Sequence, residues 1–297
     1  MTAASRAAAP DWGRGRRRSG GRIVRGVVAD RNGAVGALLL AAILALALAA
    51  VTGLLPHDPL GQQPADRLTG PSPAYWLGTD QFGRDIATRT FVGVAASLRV
   101  VVLAVAIAAL TGTLAGVTAG FLGGHTDAVV GRAADVLFAF PAILLAMAVV
   151  TGLGRGWVNT AIAIAVVYTP IFVRVSRGPT LAVRHAEYVL AGRVLGFSRR
   201  RLLLRHVLPN VAAPVVVQVA LSLSWAVLTE SALSFLGLGT QPPDPSLGLM
   251  VADARTLLAP APWTLLAPAA AIVVVVVGFN LLGDGLRSAL DPTVGPR

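Results

Sequence analysis

Long apolar runs alternate with short polar segments along almost the whole chain, and that alternation predicts membrane-spanning helices. The run from Ala34 to Leu55 has 22 residues. As a helix it is about 33 Å long, enough to cross a hydrocarbon core of about 30 Å. Further spans are predicted over 97–122, 133–152, 157–173, 211–236 and 263–286, which makes six. The expected fold is therefore all-α and polytopic. It comprises a disordered basic arm (1–33), a first span (34–55), an external segment (56–92), a membrane domain (93–288) and a short tail (289–297). A cleaved signal peptide competes for the first run, because Ala47, Leu48 and Ala49 offer a small-x-small site. A signal core usually has about 7 to 15 apolar residues, so the longer run favours an uncleaved span.

Two of the prolines within the predicted spans are singled out as candidate hinges. Pro141, in DVLFAFPAILLAM, must kink its helix or free a carbonyl at membrane depth, and Pro170 lies inside the next span. Both are candidate pathway residues. A kink beside a pathway acts as a hinge; one held by neighbouring helices is merely tolerated. The external segment contains LGTDQFGRDIATR from Leu77, in which Gly78, Asp80 and Gly83 read as turn residues. Asp80, Arg84 and Asp85 are expected to pair locally. A second reading makes the acids contacts for an extracytoplasmic partner or a metal ligand pair, which two carboxylates without a histidine support weakly. GLGRG at 152–156 lies between two spans, so it is a turn and not a nucleotide fingerprint.

Composition sharpens the picture. With 55% hydrophobic residues, 13% charged residues and a mean hydropathy of +0.71, the 297-residue chain is too apolar for a soluble domain of its size. It has no cysteine, which removes disulfides and thiolate chemistry. All 25 basic residues are arginine. A P-loop needs a lysine that reaches the nucleotide phosphates, so any ATP use must belong to a separate subunit. Nineteen arginines fall on the face that carries both termini and the segment 174–210; five, Arg67, Arg84, Arg89, Arg155 and Arg255, fall on the other. Arg99 lies near the start of a span, where it can snorkel. The positive-inside rule then makes both termini cytoplasmic in a cell-membrane protein. Anionic headgroups account for the net charge of +11, so lipid and not nucleic acid is the expected polyanionic partner.

The segment 174–210 is the most distinctive stretch, with eight arginines and one acid, Glu187. Helical spacing over 180–195, Gly196 placed for a left-handed helix end, and Ser198 as an N-cap predict a helix, a tight turn and a second helix. Pro209 is expected to limit the second helix near His206. Ala191 and Gly192 make a face with almost no side chain, a candidate docking surface for another protein.

Catalytic chemistry is not indicated. The four histidines are scattered, HExxH and GxSxG are missing from the sequence, and no metal site is expected. Glu230, in the fifth predicted span with Ser231 and Ser234, is the ionisable residue that most needs explaining. It is a pathway or gate residue that favours a cationic or amine-bearing solute, or an interfacial carboxylate near the external end; its position favours the second reading. Ser234 is a pathway candidate beside it.

The 174–210 segment resembles the cytoplasmic loop of inner-membrane permeases from binding-protein-dependent ABC importers. That loop reads Glu-Ala-Ala, three residues, Gly, nine residues, Ile, one residue, Leu-Pro. Gly196, Leu208 and Pro209 match; Leu190, Gly192 and His206 depart. EYV-A-R-LG, LGTD with GRD, ESALSFLGLGTQPPDPSLG, APW and FNLLGDGLRSALDP are similar to signatures of the dipeptide, oligopeptide and nickel branch, in the same order. The resemblance implies a type I permease with five core helices and one extra N-terminal span. Its partners would be a homologous permease, two ATPase subunits that hold ATP and Mg, and an extracytoplasmic solute-binding protein. Glu187, Ala191, Gly192, Gly196, Leu208 and Pro209 would be the ATPase-coupling residues. The chain itself would hold no cofactor. A secondary transporter or channel that works without an ATPase is the alternative function.

Overall fold

The computed structural model describes residues 20–290; residues 1–19 of the expected arm and 291–297 of the tail lie outside the described residues. Helices α1 (Gly20–Ala29) and α2 (Arg31–Val51) open the chain, and the Asp30 side chain caps α2 by accepting from the Gly33 amide at 2.9 Å. Residues from Gly20 onward, expected as part of a disordered arm, are helical instead. Val27 explains why, because it is buried between α2 and the last helix, where its side chain approaches Gly33 and Gly285.

Nine more helices follow: α3 (Ile86–Leu122), α4 (Gly124–Phe138), α5 (Ala142–Leu153), α6 (Trp157–Val183), α7 (Glu187–Val194), α8 (Arg199–Leu202), α9 (Leu208–Phe235), α10 (Leu247–Ala254) and α11 (Trp263–Leu290). Helices α2, α3, α6, α11 and the run that ends as α9 are each long and apolar enough to cross a membrane. Helices α4 and α5 are long and apolar enough only as a pair, and they are bent by 96° where they meet, as in a broken span or a re-entrant loop. The predicted kink at Pro141 is thus a full break, with Pro141 exposed at the start of α5.

Two spans are longer than their hydrophobicity suggests. Helix α3 starts at Ile86 because Asp85 caps it, accepting from the Thr88 amide at 2.8 Å and the Thr88 hydroxyl at 2.6 Å. Helix α6 continues through Arg174 and Arg177 to Val183, because those arginines find acids on α4 and do not end the helix. Much of the predicted basic loop is therefore helix.

Small residues hold the bundle together. Gly112, Gly116 and Gly120 line one side of α3, and a Cβ at Gly116 would lie 2.4 Å from the Val173 carbonyl of α6. A Cβ at Gly112 would lie 2.5 Å from the Thr169 carbonyl. This four-residue spacing brings the two backbones together, as in close-packed membrane helix pairs. A second seam joins α2 to α11, where Gly33 meets Gly285 and a Cβ at Gly36 would lie 2.5 Å from the Leu282 amide. The main apolar core fills the space between α3, α6 and α9 with Val101, Ala104, Ile164, Phe172, Val227 and Leu233. Helix α2 closes one flank; α5, packed on α6 and α9, forms the other.

A layer built from the segment expected to be external caps one end of this bundle. Asp80 accepts from the amides of Phe82 (2.8 Å) and Arg84 (3.0 Å) and from Arg84 Nε (2.6 Å). Trp263 Nε1 donates to the Thr79 carbonyl at 3.1 Å, which ties the layer to α11. Arg89 is 3% exposed, donates to the Pro59 carbonyl at 2.8 Å and lies 3.8 Å from Asp80. Asp80 and Asp85 are thus engaged locally. The expected Asp80–Arg84 pairing is present, whereas Asp85 serves as a helix cap.

Candidate coupling surface and pathway face

Helix α7 is short, and its position is set from four sides. Arg184, just beyond α6, donates to the Gly120 carbonyl of α3 at 2.9 Å. Val189 of α7 is fully buried in a second apolar cluster with Val117 and Phe121 of α3, Leu202 of α8 and Val211 of α9. Asn210 donates to the Tyr188 hydroxyl at 3.2 Å. Arg193 stacks over Phe121 with its guanidinium carbon 5.5 Å from the ring centre.

The end of α7 follows from Gly196. Its φ of +74° is the left-handed conformation that residues with a Cβ avoid. The Phe197 amide donates to the Gly192 carbonyl and the Gly196 amide to the Arg193 carbonyl, both at 3.0 Å, which closes a Schellman turn. Ser198 then caps α8, accepting from the Arg201 amide at 3.3 Å. The predicted turn and second helix start are present, whereas the helix expected over 180–195 is split: 180–183 end α6 and α7 begins only at Glu187.

Gly192 does not belong to an outward docking face. It is buried, and a Cβ there would lie 2.8 Å from Leu202 Cδ2 and 3.3 Å from Phe197 Cδ2. It lets α7 close onto α8. The outward face is formed instead by Leu190 (43% exposed), Ala191, Val194 (89%) and Leu195 (72%), with Glu187 also exposed in the first turn.

Pro209 does not end the second helix near His206 either. Residues Leu203–Val207 form a π-turn, and the Leu208 amide bonds the Leu203 carbonyl, so the chain runs on into α9. The widened turn shifts the bonding register where proline has no N–H to give. Leu208 is half-buried and Pro209 is exposed in the first turn of α9. His206 lies between the rings of Tyr188 and Phe197, each centroid 6.3 Å away.

The remaining candidates separate. Pro141 lies at the break between α4 and α5 and borders a groove formed by Leu137, Phe138, Phe140, Tyr168, Gln218 and Trp225. Pro170 is buried within α6, away from the groove lining. Glu230 is completely enclosed: Ser234 donates to its Oε1 at 2.6 Å, and Ser97 of α3 lies beside the same carboxyl. It is enclosed by protein and is not among the residues that line the groove. Ser234 is equally enclosed and backs the turn at Gly239, where a Cβ would fall 2.0 Å from the Ser234 hydroxyl.

Sequence reasoning missed the polar residues of the groove. Tyr168 hydrogen-bonds the Thr229 hydroxyl at 3.1 Å, and Gln218 donates to Ser222 at 3.2 Å. Gln218, an amide inside an apolar span, was the available signal. The face also presents Trp225, 62% exposed, beside Phe138 and Phe140.

A bent helix pair beside a mainly apolar groove with three polar side chains, and a short helix held against the bundle, match the layout of a transport subunit. The family model described as "Binding-protein-dependent transport system inner membrane component" matches residues 112–296. The chain belongs to that family. The permease is 46% identical over 229 residues to a dipeptide transport system permease of Alkalihalophilus pseudofirmus, covering 77% of this chain and 75% of that one. It is 42% identical over 240 residues to a glutathione transport system permease of Pectobacterium atrosepticum, covering 80% of each. A di/tripeptide permease of Pseudomonas aeruginosa is 40% identical over 270 residues, 89% of each chain. The permease is an all-α, multi-pass inner-membrane subunit of an ABC importer, not an enzyme in its own right. Such a permease works with an ATPase and a substrate-binding partner, so the reading as a secondary transporter or channel falls away.

Proposed function

We propose that this permease carries short peptides or a chemically related small solute, and that α7 couples it to an ATPase. Relatives named for dipeptide, di/tripeptide and glutathione transport support the solute class. One observation carries the coupling assignment: α7 exposes Leu190, Ala191, Val194 and Leu195 on one side, while Val189 and Gly192 anchor its other side to the bundle. An apolar face on a rigidly held helix transmits force instead of absorbing it. ATP and Mg belong to two ATPase subunits, and α7 sits in a cleft of one of them. Closure of the ATPase pair then shifts α7, and through Val189 and Leu202 it shifts α3 and α9. Only contacts that differ between two global states can drive such a change.

The α5, α6 and α9 groove forms half of the pathway, and a second, homologous permease supplies the other half. The solute-binding protein docks on the external layer. We place the face that carries α7, with both termini, on the cytoplasmic side beside anionic lipid, a reading the arginine distribution supports.

The test is purification of the chain co-expressed with its neighbouring genes, then uptake of labelled dipeptides into proteoliposomes. Recovery of an ATPase and a second permease is expected, with uptake that needs both ATP and the binding protein. A chain that transports alone, or full coupling in a Val194→Asp, Leu195→Asp variant, would overturn the assignment.

A further inference from the structure

Two Arg–Asp pairs join α4 to α6, and they differ in kind. Arg177 grips Asp127 with two nitrogens, one of them Nη2 at 2.6 Å from Oδ2, and both side chains are partly enclosed. Arg174 meets Asp135 through one hydrogen bond, Nη2 to Oδ1 at 2.7 Å, with side-chain exposures of 58% and 66%. The first pair is a clamp. The second is open to water on most of its surface, so its partners exchange easily.

The open pair also occupies a particular place. The Arg174 guanidinium lies 4.2 Å over the ring of Phe138, and Phe138 lines the α5, α6 and α9 groove. Arg174 and Asp135 themselves line the adjoining cleft between α4 and α6, on the side of the bundle that leads to α7. The groove lining holds Tyr168, Gln218 and Ser222 but no acid or base. A solute that leaves the groove toward α7 therefore meets its first fixed charges at Arg174 and Asp135.

We infer that Arg174 and Asp135 form an exchange gate for a zwitterionic short peptide, Arg174 receiving its carboxylate and Asp135 its ammonium group. This rests on the peptide-permease reading above. Charge complementarity is what recommends this occupant. With the gate shut, each side chain neutralises the other; with the peptide in place, each terminus takes over the role of the departed partner, and no charge is left bare at the membrane boundary. A dipeptide spans at most about 7 Å between its ends, so the pair needs to part by little more than one peptide length. The movement pivots on the Asp127–Arg177 clamp, because the 96° break at Pro141, six residues beyond Asp135, uncouples the C-terminal end of α4 from α5. That end can swing because Ala134 is the one buried residue of α4.

The gate has a polarity, and polarity is what the test reads. The assembled importer is reconstituted with its binding protein and supplied with an equimolar mixture of labelled neutral dipeptides with free termini. In the charge-swapped variant Arg174→Asp, Asp135→Arg, binding-protein-stimulated ATP hydrolysis is expected within twofold of wild type, with uptake at least tenfold lower. The polarity-preserving variant Arg174→Lys, Asp135→Glu is expected to keep more than half of the uptake. Uptake restored by the swap but lost in Arg174→Gln and Asp135→Asn would make the pair a structural tie and overturn the gate. Wild-type uptake in all four variants would overturn it as well. Should the swapped chain not assemble, uptake by Asp135→Asn decides: a tenfold fall with ATP hydrolysis intact supports the gate, and wild-type uptake refutes it. Failure of the peptide-permease reading looks different, because wild type itself would then accumulate no dipeptide.

Discussion

Gly192 and Leu202 touch so closely that a Cβ on the glycine would lie 2.8 Å from Leu202 Cδ2. This contact fixes α7 against α8 and turns its opposite side, with Val194 and Leu195, outward. Gly192→Ala pushes on the end of a flexible side chain and is expected to cost about 1 kcal/mol, with the ATPase still recovered. Gly192→Phe cannot be accommodated, and α7 should lift off. Protection of the α7 amides in hydrogen exchange separates the two, and equal protection in both would refute the contact's role.

Gly196 acts through its backbone alone. Nothing lies within 4 Å of its missing Cβ, but its φ is +74°. Gly196→Val should cost about 1–2 kcal/mol and uncouple ATP hydrolysis from uptake, while Gly196→Asn should be milder. A valine variant with normal coupling would show that the turn is dispensable.

Gly116→Leu inserts side-chain atoms where a Cβ already falls 2.4 Å from the Val173 carbonyl, so the α3–α6 pair cannot close. The expected result is loss of the monodisperse species on size-exclusion chromatography in detergent. Gly131→Ala, in α4 with open space around it, is the control and should gain about 0.5–1 kcal/mol.

Glu230 and Ser234 form an enclosed pair, so size and hydrogen bonding decide the outcome there. Glu230→Gln keeps both and should retain uptake. Glu230→Ala leaves the Ser234 hydroxyl without its acceptor and should cost about 2 kcal/mol, read as a lower thermal midpoint. Loss of uptake in Gln with an unchanged midpoint would instead mean that the charge itself takes part in transport.

The Asp127–Arg177 clamp should behave as a tie. Arg177→Leu strands a partly enclosed carboxylate, and the double exchange Arg177→Asp, Asp127→Arg should recover most of the lost stability. No recovery would mean that α4 is held by something other than this pair.

Much of this was legible in advance. The apolar runs marked the spans, and Gly196 and Ser198 marked the turn after α7, because a left-handed position and an N-cap leave local signals. Helix ends were harder to place. Arg174 and Arg177 read as loop because their partners, Asp135 and Asp127, lie some 40 to 50 residues away in sequence. Gly192 read as surface for the same reason, since its neighbour Leu202 comes into view only when the turn is closed. The groove depends on α5, α6 and α9 meeting, and the spans taken one at a time give no hint of it beyond Gln218.

Helix α3 runs for 37 residues without a proline or a break, from the Asp85 cap in the external layer to Phe121 in the cluster that holds α7. At about 1.5 Å per residue it is a rod of about 55 Å, nearly twice the hydrocarbon thickness. A tilt of about 5° at one end of such a rod carries the other end by about 5 Å. On the proposed coupling, docking at one end and ATPase closure at the other would pull on the same lever, with no chain of small rearrangements between them.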